Sequence, residues 1–297
     1  MLKKVEEYID KIVSEVGSEY VKELYSKLPK GKRLRAKLIL KVAKESEDAA
    51  KLAAIVELIH TASLLHDDVI DEAEVRRGVA SINAVFGDKS AIMLGDILYS
   101  KAYFKLVEFK EEISKIISNA VALLSLGELN DVRLSLKFSP NREEYFLMIY
   151  QKTASLIEAS AKSAAVLAKL DKEKFALYGK NLGLAFQIID DVLDVTQDSK
   201  KLGKPSLNDF KEGKTTLPYI YLYESLNDKE REYLKSLYKK ELNEDEIFWI
   251  KDKMQKTKAI EKSIELAKKL GYEALEAVRD EDPALKKIIK DMIERDF

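Results

Sequence analysis

The chain has 297 residues, 46% of them hydrophobic and 35% charged, enough for one large core. Lysine plus arginine (51) nearly cancels aspartate plus glutamate (52), so no global basic field points to nucleic acid and any basic chemistry must be local. Cysteine is absent, which excludes disulfides and thiol chemistry; the start turns acidic at Glu6-Glu7 with no apolar signal core, and no apolar run approaches the roughly 20 residues of a membrane span, so the expected compartment is the cytoplasm.

Helical signals run through the whole chain. The prolines, Pro29, Pro140, Pro205, Pro218 and Pro283, fall at boundaries, and good helix formers lie between them. There is no period-2 strand and no Asn-Gly hairpin turn. The expectation is an all-α protein, a single domain over 1–297, with about a dozen helices in one bundle. Long helices are expected over roughly 48–73, 89–108, 111–137, 141–170 and 172–198. Loops are expected at 29–33, 74–80, 138–141, 199–214 and 226–228. The segment 229–297 reads as a charged, amphipathic, solvated helical layer with little catalytic signal, and Phe104, Phe146, Met148 and Phe186 read as core.

In chain order, the first chemical signal is Gly31-Lys32-Arg33-Leu34-Arg35 at the start of a helix. Next comes Asp67-Asp68-Val69-Ile70-Asp71, after an apolar helix running from Ile59 to Leu65. Arg76-Arg77-Gly78 follows it. The acidic pattern recurs as Asp190-Asp191-Val192-Leu193-Asp194 after Leu184 to Ile189, and Lys204 and Lys214 follow that copy, each after a glycine. On a helix, residues four apart share a face, so Asp67 pairs with Asp71 and Asp190 with Asp194. Such close like charge is costly unless a cation neutralises it. Oxygen-only ligands suit Mg²⁺, which keeps waters and shares its shell with substrate phosphates. Two such faces pointing at each other would clamp one diphosphate. Arginine forks and lysine ammoniums beside them suit phosphate oxygens.

The sequence resembles the trans-polyprenyl diphosphate synthases, over about residues 29–220. The resemblance is carried by Gly-Lys-Arg-Leu-Arg at 31–35, His-Thr-Ala-Ser-Leu-Leu-His-Asp-Asp-Val-Ile-Asp at 60–71, Arg-Arg-Gly at 76–78, Lys-Thr at 152–153, Phe-Gln-Ile-Ile-Asp-Asp-Val-Leu-Asp at 186–194 and Gly-Lys-Thr-Thr-Leu-Pro at 213–218. It implies that the helices surround a central catalytic cavity and that Asp67, Asp68, Asp71, Asp190, Asp191 and Asp194 bind three Mg²⁺ ions. It implies that Arg76, Lys152, Lys204 and Lys214 hold an allylic diphosphate, farnesyl or geranylgeranyl. It places Lys32, Arg35, His60 and Arg77 on isopentenyl diphosphate, and Thr153 and Gln187 beside the cationic carbon. The implied reaction is 1′-4 chain elongation to an all-trans polyprenyl diphosphate by a homodimer, whose product passes to membrane enzymes. Ala62 and Ser63, small residues one turn before the first motif, leave out the aromatic floor of short-chain members, which implies a long-chain product of octaprenyl type. A farnesyl or geranylgeranyl diphosphate synthase is the alternative.

Three positions depart from the family pattern. Leu207-Asn208-Asp209 stands where Gly-Gly-Asp is common, Gly127-Glu128-Leu129-Asn130-Asp131 has no glutamine shortly after its Gly-Glu, and the chain ends Glu294-Arg295-Asp296-Phe297 without a strongly basic finish. Other readings fit less well. A di-iron bundle would need a second Glu-x-x-His beside Glu57-x-x-His60, and the remaining histidine, His66, is preceded by Ser63 instead. A terpene cyclase would not need Lys32, Arg35 and Arg77. A non-catalytic subunit would be expected to lose metal ligands, and none is missing.

Overall fold

The three- and four-residue spacing of apolar side chains is realised as helix almost everywhere. A computed structural model describes residues 1–196 and 207–293. In chain order the elements are α1 (Leu2–Ser14), α2 (Glu19–Ser26), α3 (Leu34–Val42), α4 (Glu47–Ile70), β1 (Val75–Arg76), β2 (Val79–Ala80), α5 (Ile82–Phe86), α6 (Asp88–Leu106), α7 (Glu111–Leu134) and α8 (Arg142–Ile149). A π-helical turn, Tyr150–Ala154, leads into α9 (Ser155–Ala168). Then come α10 (Lys172–Thr196), α11 (Asn208–Glu212), α12 (Leu217–Ser225), α13 (Asp228–Leu237), α14 (Glu244–Thr257), α15 (Ala259–Ala277) and α16 (Ala284–Ile293). The protein is all-α, and its contacts gather into two compact units.

The first unit comprises Met1–Leu124, Leu156–Gly179 and Asp280–Leu285. Its centre is α4. Ser46 caps that helix by accepting from the Ala49 amide at 3.1 Å, with Glu47 and Asp48 in the first turn, the favourable end for acidic groups. Leu52, Ile55, Leu58, Ile59, Ala62 and Leu65 on it are all buried. Among the described residues α4 is the one helix long and apolar enough to cross a membrane, and 67% of its apolar stretch is buried. Helix α6 packs closely on it, and Gly95 permits this: an added Cβ would stand 2.4 Å from His66 Nε2.

The expected loop 74–80 is instead a minimal hairpin. Val75 pairs with Ala80 and Arg76 with Val79. The two-residue link is Arg77-Gly78, at φ 53° and 79°. Two positive φ values are what a type I′ turn requires, and they match the twist of the strands. Four strand residues are too few to write a period-2 pattern, so the sequence carries no strand signal here.

The second unit comprises Ser125–Ser155, Lys180–Arg279 and Lys286–Phe297. Its core cluster includes Val195, Phe210, Tyr219, Leu222, Leu234, Leu237, Ile250 and Met254, with Phe210 stacked on Tyr219 at 4.5 Å. The amphipathic reading of 229–297 is realised in α13 and α14, which bury their apolar stripes into that cluster and leave their charged faces outside it. The core reading of Phe104 is corrected, the residue being 61% exposed, and Phe146, Met148 and Phe186 are only partly buried. The single helix expected over 141–170 is interrupted by the π turn. Such turns insert a residue without breaking the helix, so the apolar spacing hardly registers them.

Candidate active site

In the first unit, the motif aspartates sit where a helix tolerates them least. The C-terminus of a helix carries partial negative charge and favours cations, yet the last turn of α4 has no basic residue. Asp71 is the C-cap, its amide bonded to the Asp67 carbonyl at 2.8 Å, so α4 ends before the expected residue 73. Asp67 is half-buried and Asp71 exposed, whereas Asp68 is buried and accepts from Arg76 Nε at 2.6 Å. Burial raises the Asp68 carboxyl above the usual range and Arg76 opposes it.

A cationic cluster lies beside this end. Arg33, at φ 52°, holds Glu6 with two nitrogens, 2.6 and 3.0 Å, and reaches Glu57 at 3.3 Å. Buried Glu57 also accepts from the Ala36 amide at 2.9 Å, so it braces the Gly-Lys-Arg-Leu-Arg segment and is no metal ligand. Gly31 leaves room for the neighbouring arginine: a Cβ there would lie 2.6 Å from Arg77 Nη1. Thus the segments 31–35 and 76–78 come together. Arg35 has a buried Nε without a hydrogen-bond partner and is pushed down to about 10 by burial, Glu57 opposing. His60 is held well below 6.5 by burial and by Arg35, Arg77, Arg76 and Arg33. Lys32 is exposed at the start of this cluster. Guanidiniums around a neutral imidazole, with one buried N–H unused, are the chemistry that suits an anion. Of the small residues below the motif, Ala62 is fully buried, while half-buried Ser63 donates to the His60 carbonyl at 2.9 Å.

In the second unit, α10 carries the other aspartates near its end, again with no basic residue in the last described turn. The three are unequal. Asp190 is half-buried. Asp191 is buried and accepts from Tyr145 Oη at 2.5 Å and from Gln187 Nε2 at 2.9 Å; burial and Asp209 raise its carboxyl well above the usual range. Asp194 is buried and accepts from the Asp209 amide at 3.1 Å. The chain of hydrogen bonds continues from Gln187, whose Oε1 accepts from Thr153 Oγ1 at 2.7 Å. Lys152 and Thr153 both stand on the π turn, which presents them to a cavity of about 120 Å³. Gln187, Asp191 and Lys214 line that cavity too. Lys204 lies outside the described residues.

The departure at 207–209 has a local explanation. Leu207 sits at φ 63°, ψ 28°, where glycine is at ease. The left-handed conformation costs a leucine about 1–2 kcal/mol, and burying its side chain, only 1% exposed, returns about 1.5–3 kcal/mol. Burial therefore offsets the strain, and the Asp209 amide still reaches Asp194. Tyr145 is the residue the sequence reading missed. Only its spacing from Lys152 along one helix could have signalled it, and the π turn obscures that spacing.

No three carboxylate or imidazole groups among the described residues form a ready-made metal cage. The donors nevertheless fit a hard cation: they are carboxylate oxygens, no thiol competes, and Mg²⁺ needs only one or two protein ligands beside water and phosphate.

The profile of the polyprenyl synthetase family matches residues 18–254. A prenyl transferase of Cyanophora paradoxa is 36% identical over 282 residues, 89% of this chain and 86% of its own length. The crystal structure of octaprenyl pyrophosphate synthase from Helicobacter pylori is 45% identical with a TM-score of 0.93, covering 99% of this chain and 98% of that one. That of geranylgeranyl pyrophosphate synthetase from Pyrococcus horikoshii is 31% identical with a TM-score of 0.91, covering 99% and 96%. The chain belongs to the polyprenyl synthetase family, has the all-α isoprenoid synthase fold, and is a trans-prenyltransferase.

The cationic surroundings of His60 have a pH consequence. Its folded pKa lies well below the unfolded value of 6.5, so as pH falls through 6.5 the unfolded chain takes up a proton that the folded one refuses. The His60 contribution to stability is therefore present above pH 6.5 and lost below it. Urea denaturation at pH 7.5 and 5.5 should show this loss, reduced in His60→Gln. A His60 ring resonance titrating at its ordinary pH would contradict it.

Proposed function

We propose that this enzyme elongates an allylic diphosphate with isopentenyl diphosphate, releasing inorganic diphosphate and an all-trans polyprenyl diphosphate. The observation that carries the reading is the anion site of Arg35, Arg77 and His60 beside the Asp67–Asp71 helix end. An enzyme that only ionised one diphosphate would have no use for it. Lys32, Arg35, His60 and Arg77 hold isopentenyl diphosphate. Arg76, Lys152, Lys204 and Lys214 hold the allylic diphosphate. Asp67, Asp68, Asp71, Asp190, Asp191 and Asp194 take Mg²⁺, with Asp67, Asp71 and Asp190 the less buried of the six. When bound, Mg²⁺, three ions per site on the family pattern, would supply positive charge to the diphosphate oxygens.

The residues act on charge that develops as the allylic C–O bond breaks. The ammoniums of Lys152 and Lys214 stand where leaving-group charge grows, needing little reorganisation. Thr153 and Gln187, locked to one another and to Asp191, turn oxygen dipoles toward the cationic carbon. The isopentenyl double bond attacks that carbon, and the proton lost from the new chain passes to the departing diphosphate. Neutral His60 orients isopentenyl diphosphate without adding charge beside the carbocation.

We place the enzyme in the cytoplasm as one catalytic domain over 1–297 that works as a homodimer and passes its product to membrane enzymes. The exposed Leu126, Leu129 and Val132, three residues apart on α7, support the dimer. A long-chain product is supported by the higher identity to an octaprenyl than to a geranylgeranyl synthase, and by the lack of bulk at Ala62 and Ser63.

Incorporation of labelled isopentenyl diphosphate onto farnesyl diphosphate tests the reaction. Asp67→Ala should lower turnover about 10²- to 10³-fold, and excess chelator should abolish it; activity that survives chelation would refute the metal assignment.

Product length is tested at Ser63, since Ala62 has no open surface. Ser63→Phe should shorten the main product toward geranylgeranyl or farnesyl diphosphate, with the Asp67 site intact. Ala62→Phe should instead overpack the helix contact at a cost of about 1–3 kcal/mol, read as a lower Tm. A stable, active Ser63→Phe enzyme with unchanged products would show that the prenyl tail does not pass this residue.

A further inference from the structure

The segment Gly127-Glu128-Leu129-Asn130-Asp131, which departs from the family pattern, is built around Lys152. Gly127 lets α7 press against the π turn: an added Cβ would lie 2.3 Å from the Lys152 amide nitrogen and 2.7 Å from its Cα. These are backbone atoms that cannot swing aside. Asn130 Nδ2 donates to Gln151 Oε1 at 2.8 Å and fixes the residue before the lysine. Lys152 Nζ then donates to Asp131 Oδ2 at 2.6 Å and lies 2.9 Å from Glu128 Oε2.

The two carboxylates differ in kind. The Asp131 contact is a hydrogen bond. The Glu128 contact is within ion-pair distance but lacks hydrogen-bond geometry, and both Glu128 oxygens are buried without a hydrogen-bond donor. Glu128 and Asp131 are 8% and 7% exposed. A buried carboxylate balanced by a shared ammonium opposes any displacement of that ammonium, because losing it would leave the charge unpaired. Meanwhile Lys152 and Asp131 line the same cavity as Gln187, Asp191 and Lys214. A lysine stem is flexible and its ammonium is a point charge without a preferred direction. Accurate placement therefore has to come from outside the side chain.

We propose that Glu128 and Asp131 are positioning residues for the ionisation step, holding the Lys152 ammonium at the cavity wall where the allylic diphosphate departs. This rests on the reading that Lys152 contacts that diphosphate. The two carboxylates set how far the ammonium reaches, and Gly127 and the π turn set where its stem begins. The Gly-Glu-x-Asn-Asp spacing follows: on α7, positions 127, 128 and 131 share a flank, and 130 reaches the preceding residue of the turn.

A double-mutant cycle tests it, with Asp131→Asn, Lys152→Met and the double variant in the full-length enzyme with Mg²⁺. Asp131→Asn alone should lower kcat about 10- to 100-fold, the scale of a misplaced group. Its KM for isopentenyl diphosphate and its inhibition constant for inorganic diphosphate should stay within about twofold of wild type, since the ammonium is still present. In the Lys152→Met background the same change should alter kcat by less than about twofold. Glu128→Gln, of equal size, supplies a second cycle should Asp131→Asn fail to fold. Equal losses with and without Lys152, or diphosphate inhibition weakening in step with kcat, would overturn the positioning role while leaving Lys152 as a ligand. Wild-type turnover in Lys152→Met would overturn both that ligand assignment and the positioning that depends on it.

Discussion

Like charges gathered at the C-terminal end of a helix are opposed twice, by one another and by the partial negative charge of the helix itself. This chain does it at the ends of α4 and α10, with no basic residue in the last described turn of either. The arrangement works only if positive charge is supplied from outside each helix. Part of it comes from the protein: Arg76 reaches Asp68 from the hairpin. For Asp191 the compensation is neutral, from Tyr145 and Gln187, and burial shifts its carboxyl toward the protonated form. In the proposed reading the rest is left for metal and substrate to bring, so that binding and catalysis are parts of one electrostatic balance.

That balance makes the six aspartates unequal. In each triplet the middle one is buried and accepts from a protein donor, and at least one of the others is less buried. The same logic explains the glycines. Gly31, Gly95 and Gly127 stand where an added methyl would collide with Arg77, His66 or the Lys152 backbone. Each lets a charged or imidazole-bearing segment approach its neighbour more closely than any other residue would allow.

Much of this was legible in the sequence. The all-α class followed from apolar spacing, and the motif helices lie within a few residues of their expected bounds, because long, strongly periodic segments are the best-determined signals. The clustering of Arg35, His60 and Arg77 was implied by the resemblance, and the structure brings them together. The π turn was not legible, since one inserted residue scarcely alters the apolar pattern. Nor was the hairpin, where Arg77-Gly78 does the work of Asn-Gly. The unequal aspartates were hidden as well: a repeated Asp-Asp-x-x-Asp spacing says which residues share a face, and only neighbours outside the motif, Arg76, Tyr145 and Asp209, set how Asp68, Asp191 and Asp194 are held.

The electrostatic account is tested most directly by calorimetric melting with Mg²⁺ alone, inorganic diphosphate alone and both together. If the aspartate ends and the cationic groups are completed only by a metal–diphosphate pair, each alone should move Tm little and the two together should raise it well beyond the sum. A rise produced by diphosphate alone, undiminished by excess chelator, would contradict the account.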